Sequence, residues 1–325
     1  MGLTRAKSKI LLLTAGIVVG SLAAIYGGGG FGKSPETEAS LRAALKAHPK
    51  DAGINERLGN LLVKQGQADQ AIPLYETAIA NAPDITTAPV SLAAIMAAKG
   101  RSLDAQKLLE RSLKAHPGDP ATNEALGDLV VKSLGEVAYP LVQPMYETAV
   151  AKEPWRPGAA LGLSKIYRSQ GLIAAAEAMM DKAVKNNLGN AEMQLELAGL
   201  QAVLHKFDDA GKHYDIATAL RPKDADGWAA WGLMLLDAEN GRLAEEKFRK
   251  AVDLQRTSPK YRVYLGQALR QQKKLKAAMD EFDSAIGLDE KYAPAHYEAG
   301  VTFNELHLEA DVVRCMRAAL EADHH

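Results

Sequence analysis

The stretch YETAIANAPD, from Tyr75 to Asp84, returns as YETAVAKEPW from Tyr146 to Trp155. A second pair of similar stretches is LKAHPKD from Leu45 and LKAHPGD from Leu113. The interval in the second pair is twice a period of about 34 residues, and the interval in the first pair is slightly longer. A fixed period of this length indicates a chain built from repeated supersecondary units.

Small residues mark the phase of the repeat. They recur with this period, apart from one step, between Gly127 and Ser164, that is three residues longer. A large apolar residue follows most of them by sixteen positions, and a second small residue comes three positions later. Because apolar residues have helical spacing in both halves of each unit, each unit is predicted to be a helical hairpin. The small residue should let the two helices approach closely, with the large residue beside it. The small residues are Gly59, Ala93, Gly127, Ser164, Ala198, Gly232, Gly266 and Gly300.

This pattern resembles the tetratricopeptide repeat (TPR), in which a Trp, a Leu and a Gly on the first helix precede an Ala, a Phe and a closing Pro. The unit that begins near residue 225 carries Trp228, Gly232, Ala244 and Phe248 in those places. The resemblance implies an all-α fold, a right-handed α-solenoid of about eight TPR hairpins across residues 39–325. The predicted units are 52–85, 86–119, 120–156, 157–190, 191–224, 225–258, 259–292 and 293–325.

The N-terminus differs from the repeats. Residues 1–9 carry Arg5, Lys7 and Lys9 without an acidic residue, and residues 10–26 carry no charge. This uncharged segment is predicted to be a hydrophobic helix, and it fits either a short transmembrane anchor or a secretory signal. The basic flank should stay in the cytoplasm. We therefore expect a bacterial inner-membrane protein that crosses once, with its repeats in the periplasm, or a periplasmic protein released by signal cleavage.

The stretch GGGGFGKS, from Gly27 to Ser34, matches the pattern of a phosphate-binding loop. Such a loop works between a strand and a helix of an α/β core. Here it follows the hydrophobic segment and precedes the repeats, which leave no length for a sheet. We therefore interpret residues 27–38 as a Gly-rich linker and expect no nucleotide binding.

Composition and motifs give no sign of catalysis. A net charge of −1 gives no electrostatic reason to expect a nucleic-acid partner, which binds a basic face. The lone Cys315 cannot form an intrachain disulfide or a Cys-rich zinc site. The sequence contains no H-E-x-x-H or G-x-S-x-G motif. Trp228 and Trp231 occupy packing positions, so they are predicted to fill the core rather than form a ligand cage. We expect a protein that is not an enzyme and has no cofactor and no metal.

The resemblance also implies a partner-binding groove lined by the first helix of each unit. The carboxylate clamp of chaperone-binding relatives is not supported, because Glu56 and Ala94 occupy two of its positions. A largely apolar groove suits an extended peptide or a helix, although tight packing alone would also select small apolar residues. The predicted groove residues are Asn60, Val90, Ala94, Val131, Leu161, Lys165, Arg168, Leu195, Leu233, Leu236, Arg270 and Tyr297.

Two further segments are candidate contacts. The three extra residues of the third unit lie in SLGEVAYPLVQP and are predicted to form a longer inter-helix loop, because Pro140 is unfavourable inside a helix. The last helix, near residues 309–322, spreads its apolar residues over more than one face. We expect Val313 and Leu320 to be open at this C-terminal edge as partner contacts.

Taken as a whole, the sequence predicts an exported, membrane-anchored TPR scaffold that binds other proteins and assembles or organises an envelope complex. The alternative is a permanent, non-catalytic accessory subunit of a membrane enzyme or electron-transfer complex. In both interpretations the partners are proteins of the envelope or of a membrane complex.

Overall fold

The computed structural model describes residues 37–323. The basic flank, the hydrophobic segment 10–26 and residues 27–36 of the predicted linker lie outside this range. Between residues 37 and 323, no helix combines the length and the apolar character needed to cross a bilayer.

All regular structure in the described residues is helical, and the chain divides into two compact units at Glu153 and Pro154. The first unit contains α1 (Glu38–Ala47), α2 (Ala52–Lys64), α3 (Ala68–Asn81), α4 (Thr87–Ala98), α5 (Ser102–Ala115), α6 (Pro120–Leu134) and α7 (Tyr139–Lys152). The second unit contains α8 (Pro157–Ser169), α9 (Ile173–Lys185), α10 (Ala191–Val203), α11 (Phe207–Leu220), α12 (Ala225–Asp237), α13 (Gly241–Leu254), α14 (Pro259–Gln271), α15 (Leu275–Leu288), α16 (Ala293–Glu305) and α17 (Glu309–Asp323). The predicted all-helical fold is confirmed, and each predicted repeat range contains two of these helices.

Close approach of the two helices explains the small residue of each hairpin. A Cβ atom added at Gly127 would lie 2.7 Å from the Tyr146 ring, and one added at Gly266 would come even closer to the Phe282 ring. Both rings are almost fully buried. The space beside the glycine is therefore filled by the large residue of the second helix, as the sequence pattern predicts.

A side chain at the fourth position of the first helix ties that helix to the turn before it. In five repeats this side chain contacts the carbonyl oxygen six residues earlier, at 2.9 to 3.1 Å. Because a carbonyl can only accept, the histidine in this set carries its proton on Nε2. The donors are Asn55, Asn123, Gln194, Trp228 and His296.

The three extra residues of the third repeat do not form the predicted loop. Helix α6 runs on to Leu134, residues Gly135–Ala138 form one 3-10 turn, and α7 begins at Tyr139. Pro140 lies in the first turn of α7, where its missing N–H has no helical acceptor and therefore costs nothing. The insertion is thus absorbed as helix. Within it, Val137 is 86% exposed, whereas Ala138 is buried.

Candidate functional site

The predicted groove residues differ widely in accessibility. Ala94, Lys165, Arg168, Leu233 and Tyr297 are exposed. Leu161 is buried at 8% exposure, so the structure corrects its prediction as a groove contact: its side chain packs in the core of the second unit. The partly buried members are Asn60, Val90, Val131, Leu195, Leu236 and Arg270.

Three predicted residues meet in one cavity of about 470 Å³ in the second unit. Leu233, Leu236 and Arg270 belong to the first helices of consecutive repeats, α12 and α14. Glu305 of α16 and Lys273 of the turn after α14 complete the rim. We refer to this space as the α12–α16 cavity. Its lining residues are Leu233, Leu236, Asp237, Gln267, Arg270, Gln271, Lys273 and Glu305.

Arg270 is the centre of an ionic network at this cavity. Its guanidinium lies 2.7 Å from Glu298 Oε2 and 3.3 Å from Glu305 Oε1. Gln267 Nε2 donates to Glu298 Oε1 at 2.8 Å, and Lys273 Nζ lies 2.9 Å from Glu305 Oε2. The hydrogen bond from Lys273 is the main reason that the pKa of Glu305 is lowered. Both cations of the cavity therefore already have acidic partners.

The same pairing occurs three repeats earlier. Arg168 Nη1 lies 3.1 Å from Glu196 Oε2, and the Ser164 hydroxyl donates to Glu196 Oε1 at 2.7 Å. Arg168 and Arg270 are three repeat periods apart, as are Glu196 and Glu298. We call the Arg168–Glu196 and Arg270–Glu298 pairs the Arg–Glu rungs. Each rung joins consecutive first helices.

Between the two rungs the equivalent positions are not charged. Steps of one repeat period from Arg168 reach Ala202 and Leu236, and the same steps from Glu196 reach Ala230 and Tyr264. These four side chains are partly buried and pack against the core of the second unit. The first-helix surface of this unit therefore has an apolar stretch with an ionic rung on each side. Sequence reasoning missed Glu196 and Glu298, although the recurrence of Arg and Glu after three periods was available as a signal.

Polar contacts in the first unit follow another scheme. The Tyr75 hydroxyl donates to Asn60 Oδ1 at 2.7 Å, and the Tyr146 hydroxyl donates to Asp128 Oδ1 at the same distance. Burial raises the pKa of both tyrosines, and the Asp128 carboxylate raises that of Tyr146 further. Asn60, a predicted groove residue, is thus already engaged by the packing tyrosine of its own hairpin.

The two predicted packing tryptophans form a stack that is only partly buried. The Trp228 and Trp231 ring centroids are 5.9 Å apart, and the Tyr214 ring stacks on Trp231 at 6.4 Å. Lys247 Nζ lies 3.6 Å from the Trp231 ring centroid, and burial lowers the pKa of that ammonium. A cation–π contact of this kind already covers the indole face. The stacked rings therefore pack against one another, and Lys247 of the same chain already occupies the place of a bound cation.

The other candidate positions lie apart from the cavity. On α17, Val313 is 59% and Leu320 63% exposed, while Cys315 is buried. Among residues 37–323, no three His, Cys, Asp or Glu side chains gather in a way that could hold a metal ion.

Comparison with known proteins identifies the family to which the chain belongs. Models described as tetratricopeptide repeat match residues 62–129 and residues 30–84, 161–225 and 229–293. Cellulose synthase operon protein C of Xanthomonas axonopodis pv. citri (strain 306) is 25% identical over 219 residues, or 63% of this chain. This chain spans only 14% of that protein's length.

Several solved structures are similar to this chain. A chain of the APC/C hetero-tetramer Cut9–Hcn1 matches with a TM-score of 0.52 and 15% identity, over 88% of this chain and 55% of that one. YrrB, described as a TPR protein with an unusual peptide-binding site, matches at 0.43 and 20%, over 55% of this chain and 91% of that one. MamA matches at 0.44 and 17%, over 50% and 95% respectively.

Proposed function

Because the chain belongs to the tetratricopeptide repeat family, we propose that it is an exported, membrane-anchored scaffold that binds envelope proteins and organises them into a complex. Proteins of this family mediate protein–protein interactions, and stacked repeats offer extended binding surfaces. In this proposal the chain contributes no catalysis and needs no cofactor.

One observation carries the proposal: accessible first-helix side chains converge on the α12–α16 cavity. Leu233 and Leu236 supply apolar contact area there, and Arg270 supplies a fixed polar edge. Peptide segments bind to surfaces that combine apolar contact area with a few polar groups in fixed positions. The other accessible groove residues, and Val313 and Leu320 on α17, are proposed as secondary contacts. Leu161 is left out because it is buried.

The proposed location rests on residues 1–26. An uncharged segment after a basic flank supports export with the N-terminus in the cytoplasm. The name of the Xanthomonas relative refers to a cellulose synthase operon. This name supports a polysaccharide-synthesising membrane complex as one setting for the scaffold.

The first test is topology. A reporter enzyme that is active only outside the cytoplasm, fused after His325, should be active in a bacterial host, and substitution of Arg5, Lys7 and Lys9 by Glu should reduce that activity. The mature N-terminus, read by mass spectrometry, separates an intact anchor from a cleaved signal. Activity of a cytoplasm-only reporter at the same position would contradict export.

The second test is purification from native membranes at low salt. A substoichiometric set of envelope proteins supports an assembly scaffold, whereas one partner at fixed stoichiometry supports the alternative of an accessory subunit. Lys33→Ala serves as a check on the linker and should leave the partners unchanged. Nucleotide binding that the wild type has and this variant lacks would contradict the interpretation of residues 27–38.

A further inference from the structure

The apolar part of the α12–α16 cavity lies on one helix. Leu233 and Leu236 are three residues apart on α12, so their side chains share a face of that helix. Leu233 is 36% exposed, and Leu236 is partly buried. Together they offer contact area for one apolar side chain of a partner.

Asp237 is the last residue of α12 and follows directly after this apolar pair. It lines the cavity and is exposed, yet among residues 37–323 no side chain forms an ion pair with it. The negative end of the α12 dipole lies at the same place and adds to its charge. A cation bound here would therefore meet two sources of negative potential.

The positive groups of the cavity are already paired. Arg270 contacts Glu298 and Glu305, and Lys273 contacts Glu305. An acidic ligand would have to displace these carboxylates and leave Glu298, whose side chain is only 11% exposed, without its cation. A basic ligand displaces nothing, since it pairs with Asp237.

We propose that the α12–α16 cavity binds a protein segment in which a Lys or Arg stands next to an apolar residue. The apolar side chain lies on Leu233 and Leu236, and the cation pairs with Asp237. This inference rests on the proposed scaffold function and gives the partner its chemistry. Arg270 lines the site, and its pairing with Glu298 disfavours acidic segments.

An oriented peptide library tests the proposal on the full-length protein. The probe is a set of dodecapeptides with Leu fixed at the sixth position and the other positions random. After selection on immobilised protein, Lys and Arg beside the fixed Leu should be enriched over Ser about two- to fivefold, the range of an exposed ion pair, and Glu should be depleted.

Variants make the test specific. Asp237→Lys should reverse the preference so that Glu is enriched. Asp253→Lys is the matched control, because Asp253 is an exposed carboxylate on α13 outside the cavity, and it should keep the wild-type preference. Leu233→Asn should lower peptide retention without changing which charge is preferred. Circular dichroism of each variant checks that it is folded.

The inference is overturned by equal enrichment of Lys and Glu, by a preference that Asp237→Lys leaves unchanged, or by no enrichment at all. Purification of the same variants from native membranes distinguishes a failure of the proposed partner chemistry from a failure of the proposed scaffold function. If the library fails while the wild type still carries envelope proteins, the scaffold function stands and the partner chemistry does not. If neither binds, both fall.

Discussion

The two compact units share one packing rule but fasten their polar groups differently. In the first unit, Tyr75 and Tyr146 bond to a polar residue on the first helix of their own hairpin. In two hairpins of the second unit, Phe248 and Phe282 hold that packing place without a hydroxyl, and the Arg–Glu rungs join one first helix to the next. The first scheme stabilises single hairpins. The second couples neighbouring repeats, on whose interfaces cooperativity in repeat proteins depends.

The largest effects should come from the shared rule. Gly127→Ala and Gly266→Ala place a methyl group against a buried ring in both units, and each should cost about 1–3 kcal/mol in the free energy of unfolding. Gly287→Ala is the control, because no atom lies within 4 Å of its added Cβ. Because Gly287 is the penultimate residue of α15, this change should be neutral or stabilise by less than about 0.5 kcal/mol. Urea unfolding followed by circular dichroism measures all three, and a neutral result at one glycine alone would break the shared rule.

The next largest losses in the free energy of unfolding should come from the Arg–Glu rungs, and only in the second unit. Arg270→Ala removes two ion pairs and leaves a nearly buried Glu298, so about 2 kcal/mol should be lost. Arg168→Ala should cost less than about 1 kcal/mol, because this side chain is half exposed. All three tryptophans lie at or after Trp155, so their fluorescence reports the second unit alone. Lys223→Ala, an exposed control in this unit, should change nothing; equal losses in all three variants would discredit the rungs.

The tyrosine bonds of the first unit should have a smaller effect. Tyr146→Phe removes the hydroxyl that donates to Asp128, and because Asp128 is exposed, water replaces the lost bond. The cost should be about 0.5–1 kcal/mol by circular dichroism, with unchanged tryptophan fluorescence during the transition of the second unit. Tyr297→Phe, at an exposed ring in the second unit, is the control and should be neutral. A loss above that of Arg270→Ala would invert the comparison.

Lowering the pH should unfold the second unit before the first, while both units stay folded at neutral pH. Burial would raise the pKa of Glu245, but hydrogen bonds from three neighbours lower it from its ordinary 4.5 to about 2. Because the folded pKa is depressed, this carboxylate stabilises the protein above pH 4.5, and the stabilisation is lost as pH falls from about 4.5 towards 2. The donors are Lys274, Gln272 and Arg249.

In the first unit, a lowered carboxyl pKa is found at Glu38, at the start of α1, where solvent screens its hydrogen bond with Arg42. We therefore expect tryptophan fluorescence to show unfolding of the second unit in this pH range before circular dichroism shows loss of the remaining helix. Glu245→Gln should flatten the fluorescence change. An unchanged slope in that variant would assign the acid sensitivity to other groups.

The sequence predicted the hairpins and their phase because the glycine and the ring it faces are fixed by contact within one repeat. The resemblance to the family predicted Leu233, Leu236 and Arg270 as groove residues, but it did not predict the cavity that they line. The sequence did not predict the rungs, because an Arg and a Glu on consecutive repeats become partners only once two helices are placed. It was wrong about Pro140, which the first turn of a helix accepts as readily as a loop does.

The tie at the fourth position of the first helix has a consequence for how such chains can change. Asn, Gln, His and Trp differ in size, charge and aromaticity, yet each supplies one hydrogen to the same kind of carbonyl. The position therefore holds different residue types, but the hydrogen bond that they form is the same. A substitution at this position should be tolerated only where the new side chain fits the local packing and can still donate a hydrogen to that carbonyl, so a protein engineer who swaps or extends repeats should keep such a donor there.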